Sequence, residues 1–270
     1  MKELSLVEIK KIQIGILQHL DDFCKKHDIR YCLCNGTLLG AAKYRGYIPW
    51  DDDIDVCLLR EDYDKLLREY DKSNGRFRLF SYERCDSFLF PFAKLSDEGT
   101  ILVESNVKKS DFGVNIDIFP IDSYGDTLEQ VRAKCKRMQR LRYRLNFAKL
   151  RAYSSSNFLK SILKYFYSLI FRFVGAKHYC RKIISLSKQS KGRYYGDVVW
   201  GFYGTGEAFE RAVFTDLCEL EFEGKKYPAP RRFDEYLSGL YGDWRSDPPP
   251  EKRKTHHGFK VYLKQGGTVL

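Results

Sequence analysis

Apolar residues at Val7, Ile9, Ile14, Leu17 and Leu20 recur at helical spacing, so the chain is expected to open with an amphipathic helix over 6–27. Ser5 and Glu8 just ahead of that run read as a capping box. The short apolar run 30–34 predicts a buried strand, 54–59 a second one, and 61–71 a return to helix. Further strands are expected at 77–82, 90–94, 100–104 and 114–118, and a long helical stretch begins near Leu128. Towards the C-terminus, 217–222 reads as a strand and 233–241 as a helix ended by Gly242. Pro248-Pro249-Pro250 then stops regular structure before a basic tail. No internal repeat is visible. Strands and helices mixed in front and helices behind predict an α/β (α+β) chain with a mixed sheet core, divided at 1–124, 125–196 and 197–270.

Composition adds a boundary and a surprise. A chain of 270 residues with 43% hydrophobic content can bury one sizeable core. Its eight cysteines include Cys32-x-Cys34 but no Cys-x-x-Cys pair and no histidine at zinc-like spacing, so they read as reduced core thiols. With a capped helix at the N-terminus in place of a secretory leader, a cytosolic protein is expected. The surprise lies in the net charge of +11. No Asp or Glu occurs from 130 to 196, which carries 18 Lys and Arg; the rest keeps 29 of the 47 basic residues against all 36 acidic ones. The same stretch holds an aromatic and aliphatic run over 158–174, broken by Lys164 and Arg172 and too short for the ~20 apolar residues of a spanning helix. An amphipathic helix on an anionic membrane surface is the expected use, with a solvated helical hairpin packed on the core as the alternative. No RNA-binding motif accompanies the charge, so nucleic acid is not expected as a partner.

Candidate chemistry concentrates at Asp51, Asp52, Asp53 and Asp55, four carboxylates in five positions immediately before Val56-Cys57-Leu58-Leu59. On a strand, alternate residues share a face, so Asp53 and Asp55 are expected to form a two-oxygen clamp for a hard divalent cation while Ile54 and Val56 face the core. A half-buried strand keeps such a cluster only if a cation offsets the repulsion. Asp51 and Asp52 are expected to serve the metal through water or to cap the strand.

The order helix, strand, Gly-Thr turn, short helix, Asp-x-Asp strand resembles the nucleotidyltransferase superfamily. That resemblance implies that Asn35-Gly36-Thr37 brings backbone N–H groups and a hydroxyl to nucleotide phosphates at a helix N-terminus. More narrowly, NGTLLGAAKYRGYIPWDDDIDV resembles the signature of the LicD family of phosphoryl-substituent transferases. Phe92-Ala93-Lys94-Leu95-Ser96-Asp97 with Thr100, Asn115 to Asp122, Phe222-Glu223-Gly224, Tyr241-Gly242-Asp243, and Arg253 with His256-His257 follow in the family's order. At Lys43 and Tyr44 the chain departs from the arginine and histidine usual there, so a point charge stands in place of a guanidinium fork. The resemblance covers most of the chain, least over 125–195. It implies a nucleotidyltransferase-like fold and transfer of phosphocholine from CDP-choline to a sugar of a cell-surface polymer; the fukutin-like branch moves other alditol or amino-alcohol phosphates.

The chemistry of cleaving a diphosphate-linked donor then assigns expectations to residues. Asp53, Asp55 and Asp117 are the expected ligands of Mg²⁺ or Mn²⁺, and Asp117 is a candidate to accept the acceptor's proton. Gly36, Thr37, Lys43, Lys94, Arg253, His256 and His257 are candidates for donor phosphate. Trp50, Trp200, Tyr203 and Trp244 are candidates to cage a quaternary ammonium. The expected partners are a CDP-alcohol donor, a glycan, lipid-linked glycan or teichoic-acid acceptor, and an anionic membrane. Two other readings stay open: a nucleotidyltransferase acting on a small molecule, protein or RNA, and an Asp-x-Asp glycosyltransferase.

Overall fold

In the computed structural model the described residues are 1–71, 75–85, 87–104, 112–149, 158–253 and 259–264. Strand β1 (Lys2–Glu3) leads into helix α1 (Leu6–Lys26). The capping box forms: the Ser5 hydroxyl accepts the Glu8 N–H, and the Glu8 carboxylate accepts the Ser5 N–H. Ile12, Ile16, Leu17 and Leu20 make up the face that α1 buries against the sheet. Next come β2 (Cys32–Leu33), α2 (Asn35–Tyr44), β3 (Asp55–Leu59), α3 (Arg60–Glu69) and β4 (Phe77–Phe80). They are followed by β5 (Ala93–Asp97), β6 (Thr100–Glu104) and β7 (Asn115–Gly125).

The central sheet runs β2-β3-β7-β5-β4, with β3 and β7 parallel and the other neighbours antiparallel. Strand β7 outlasts that sheet, and its second half pairs with β8 (Tyr194–Gly196), which pairs in turn with β9 (Phe209–Glu210). A mixed, bent sheet with helices packed on it is the expected α+β architecture, similar in layout to a nucleotidyltransferase core. Residues on β3 and β7 are almost wholly buried, as strands in the middle of a covered sheet must be.

The acid-free stretch forms three helices rather than a hairpin: α4 (Leu128–Lys149), α5 (Phe158–Val174) and α6 (Ala176–Ser187). Helix α4 packs on both of the others and on the 3₁₀ turn Gly204–Glu207. Beyond it lie α7 (Ala212–Thr215), the hairpin β10 (Leu217–Phe222) with β11 (Lys225–Pro230), and α8 (Phe233–Tyr241). Gly242 ends α8 at φ +69, a left-handed backbone that a side chain would resist. The expected basic tail contains a strand, β12 (Phe259–Leu263), which lies between β1 and β6 in a separate three-stranded sheet. All eight cysteines are free, and Cys24, Cys32, Cys34, Cys57 and Cys180 are buried, as core thiols would be.

Candidate active site

Two neighbouring strands carry the centre. In the parallel β3–β7 ladder Asp55 stands directly opposite Asp117, so the two side chains share a face and lie side by side. Asp53, two residues before Asp55, joins them on the wall of a cleft of about 610 Å³, and so does Asp51. Asp52 alternates inward and is buried; the Gln13 amide on α1 donates to its carbonyl at 2.9 Å. Carboxylate oxygens of Asp51, Asp52 and Asp53 come within 4.8 Å of one another.

Local geometry is held by the turn into α2. Asn35 takes a left-handed φ of 48 and donates its amide to Asp55, and Tyr236 on α8 donates to the Asn35 side-chain oxygen at 3.1 Å. Gly36 faces Asp51 so closely that a β-carbon there would lie 2.7 Å from the carboxylate oxygen. Thr37 departs from expectation. It is buried, and its hydroxyl accepts the Asp55 N–H at 2.8 Å, so it fixes the metal-clamp strand to α2 instead of meeting a phosphate. Glu223 in the β10–β11 turn accepts the Tyr47 N–H at 3.1 Å, which braces the loop entering the acidic run.

Burial first, then the charges of Asp53 and Asp117, holds the Asp55 carboxyl well above the usual carboxylate range. Lys94, expected at a donor phosphate, instead forms an ion pair with Asp117 and donates to the Asn115 side chain at 3.1 Å. Its ammonium lies among the rings of Phe90, Phe92 and Phe112 and borders a smaller cavity behind the cleft. Lys43 is not in the cleft either; it pairs with Asp247 at 2.5 Å, and the Tyr44 hydroxyl donates to the same carboxylate. Arg253 lies 5.3 Å over the Trp50 ring and 3.6 Å from Asp247. These cations line or flank an adjoining groove that shares Trp50 and Tyr241 with the cleft. His256 and His257 lie outside the described residues.

Of the expected aromatic contacts, Trp50, Trp200 and Tyr203 line the cleft. Trp244 does not: it is buried beside the adjoining groove and donates its indole N–H to Asp234 at 2.9 Å. Sequence reasoning passed over Asp197, Phe202 and Glu207 and gave Tyr241 no site role beyond its motif; all four also line the cleft. One signal was available. Asp197 is the first carboxylate after the acid-free run, and it opens a segment with glycines at 201, 204 and 206. Burial and then the Glu207 charge push the Asp197 carboxyl up to about 8.

The described lining therefore holds six carboxylates and no lysine, arginine or histidine. Such a wall repels every anionic substrate until a cation is present. An all-oxygen donor set suits Mg²⁺ or Mn²⁺; among the described residues Asp51, Asp52 and Asp53 bring their oxygens close enough to share one ion, and Asp55 and Asp117 line the cleft beside Asp51 and Asp53.

The LicD/FKTN/FKRP nucleotidyltransferase domain matches residues 28–149. The chain is 28% identical over 271 residues to the lipopolysaccharide cholinephosphotransferase LicD of Haemophilus influenzae, covering 97% of this chain and 100% of that protein. An uncharacterized protein of Rickettsia typhi is 28% identical over 45% of this chain and 44% of its own length. Another, from Rickettsia prowazekii, is 31% identical over 30% of this chain and 34% of its own. The domain match takes in both carboxylate-bearing strands and the turn between β2 and α2, and with the similarity that runs from end to end it supports membership of the LicD family.

Proposed function

We propose that this protein transfers phosphocholine, or a related phosphoryl alcohol, from a CDP-activated donor to a hydroxyl of a cell-surface glycan or teichoic-acid precursor. The observation that carries this reading is the full-length similarity to a lipopolysaccharide cholinephosphotransferase. The cleft is chemically suited to it. Asp53, Asp55 and Asp117, supported by Asp51, would hold Mg²⁺ or Mn²⁺, which when bound neutralises pyrophosphate oxygens and the departing phosphate. The first turn of α2 reaches the cleft at Asn35 and Gly36, where unpaired N–H groups at a helix start favour a phosphate oxygen. Thr37 and Asn35 keep Asp55 aimed. Asp117, anchored by Lys94, is placed to accept the proton of the attacking hydroxyl.

Incubation of the purified protein with Mg²⁺ and a panel of CDP-alcohols should release CMP. Pyrophosphate released from a nucleoside triphosphate would favour a nucleotidyltransferase instead, and nucleoside diphosphate from a nucleotide sugar a glycosyltransferase.

The same reading sets the reaction at the inner face of the membrane. No helix among the described residues is long and apolar enough to cross a bilayer. Helix α5 nevertheless turns Tyr165, Phe166, Leu169, Ile170, Phe173 and Val174 to solvent, Phe173 at 95% exposure. Ser168 is buried on the opposite side of the helix, and there Phe171 packs on Phe147 and Tyr179. Exposed Arg140, Arg144, Lys177 and Arg181 on the flanking helices supply positive charge without a carboxylate between 130 and 196. An outward apolar stripe in a cationic setting suits an anionic lipid surface.

A further inference from the structure

Helix α1 buries an amide among apolar side chains. Gln13 is only 3% exposed and lies between buried Ile9 and Ile16, on the face that packs on β5 and β7. A buried amide needs partners, and Gln13 has three. Its Nε2 donates to the Asp52 carbonyl at 2.9 Å and to the Asn115 carbonyl at 3.4 Å, and its Oε1 accepts the Tyr47 hydroxyl at 3.0 Å. We propose that Gln13 is a positioning residue for the acidic centre: its amide ties the segment leading into β3 to the start of β7 and so sets where Asp51, Asp52 and Asp53 stand relative to Asp117. The inference rests on the reading of those carboxylates as holding a divalent ion, and it adds a residue that acts on the ion only through them.

The need for a tie follows from where the ladder stops. Strands β3 and β7 run in register from Asp55 opposite Asp117 onward, and the Asp117 N–H donates to the Ile54 carbonyl at 2.9 Å. Asp51, Asp52 and Asp53 precede β3, so the register of the parallel ladder does not reach them. Gln13 adds a side-chain rung at that point. The Asp52 carbonyl belongs to the peptide that leads into Asp53, and Asn115 begins β7 two residues before Asp117. Gln13, Asp52, Asp53, Asn115 and Asp117 all border the small cavity behind the cleft.

The chemistry of the amide suits this work and that of its substitutes does not. A carboxamide carries two N–H donors and one acceptor in a plane, so a single side chain can bond two separate strands and still be held by a third group. Tyr47 is that third group. Its hydroxyl occupies Oε1 and leaves both N–H bonds to the strands, while its own backbone N–H is held by Glu223 at 3.1 Å. Methionine at this position would fill similar space without either donor. Glutamate would set carboxylate oxygens against two carbonyl oxygens in a buried place.

Binding of Mn²⁺ to the protein without donor, read by electron paramagnetic resonance of the free ion, tests this apart from turnover. Gln13→Met should weaken Mn²⁺ by about 10–100-fold, the range for removing an outer support of a metal ligand. The Mg²⁺ concentration for half-maximal CMP release should rise by a similar factor, while KM for the CDP-alcohol at saturating Mg²⁺ stays largely unchanged. Leu20→Ala, about two turns further along α1, should lower the melting temperature at least as far and leave Mn²⁺ affinity as in wild type. Should Gln13→Met not fold, Tyr47→Phe, which frees the amide and keeps the ring, should weaken Mn²⁺ in the same direction by less. Hydrogen exchange separates failure of the tie from failure of the ion reading: even if the wild type binds no Mn²⁺, Gln13→Met or Tyr47→Phe should speed exchange over 51–55 and 115–117 and not over α8. Wild-type Mn²⁺ affinity in the folded variants, a loss matched by Leu20→Ala, or unchanged exchange over both segments overturns the positioning role.

Discussion

Asp55 shows how much one side chain can be asked to do. It is paired across the ladder with Asp117, tied to Thr37 through its amide, and held above the usual carboxylate range. Asp53→Asn and Asp55→Asn should each lower CMP release by at least about a hundredfold, the scale of losing a preorganised electrostatic contact. Their thermal melts should be unchanged or slightly raised, because like-charge repulsion is relieved. Thr37→Val should behave differently: it leaves the buried Asp55 N–H without an acceptor and should destabilise the protein by about 1–3 kcal/mol, read by urea unfolding. At Asp197 the folded carboxyl is raised from 3.8 to about 8. The folded state therefore holds a proton that the unfolded state has lost between those values, and stability falls as pH rises through that window by at most about 1.4 kcal/mol per unit. Asp197→Asn should flatten that slope in unfolding experiments between pH 5 and 8. The acidic clamp was legible because its residues are contiguous and precede an apolar strand. Asp197 and Glu207 were not, since each stands alone in a loop and is brought to the cleft only by packing on β7 and α4.

At the scale of elements, the pattern-based reading worked where a segment carries its own period. Helices α1 and α8 and strands β6 and β10 fall where the spacing put them. Strand β5 lies three residues beyond its expected start, because Phe88, Phe90 and Phe92 pack into an aromatic cluster before the ladder begins. Strand β11 contains Pro228 and Pro230, which argue against a strand; it is tolerated because β10 is its only sheet neighbour among the described residues. Helix α5 is the element whose use can be read most directly from exposure. Co-sedimentation with anionic vesicles should be strong at low salt and fall steeply as ionic strength screens charge within roughly 10 Å at 0.1 M. Phe166→Ser with Phe173→Ser should weaken it at every salt concentration. Arg140→Glu with Arg144→Glu should weaken it mainly at low salt, while CMP release from a soluble donor survives in both. Absence of binding to any anionic vesicle would leave the outer stripe of α5 without its proposed partner.

Over the whole molecule, charge is sorted by function: carboxylates gather at the cleft and cations on the three helices from α4 to α6. That division was visible in the sequence, whereas the second sheet was not, because its partners are far apart. Strand β6 finds its partner in β12, and Phe259 lies 155 positions after Glu104. At roughly 5–20 residues per second, a ribosome needs about eight to thirty seconds to cover that distance. Throughout that time the newly made β6 edge, with Ile101, Leu102 and Val103, is open to any passing strand. Completion of this fold thus waits on the arrival of residues 259–263, and nascent chains halted before that point are the form expected to enter aggregates or be held by chaperones.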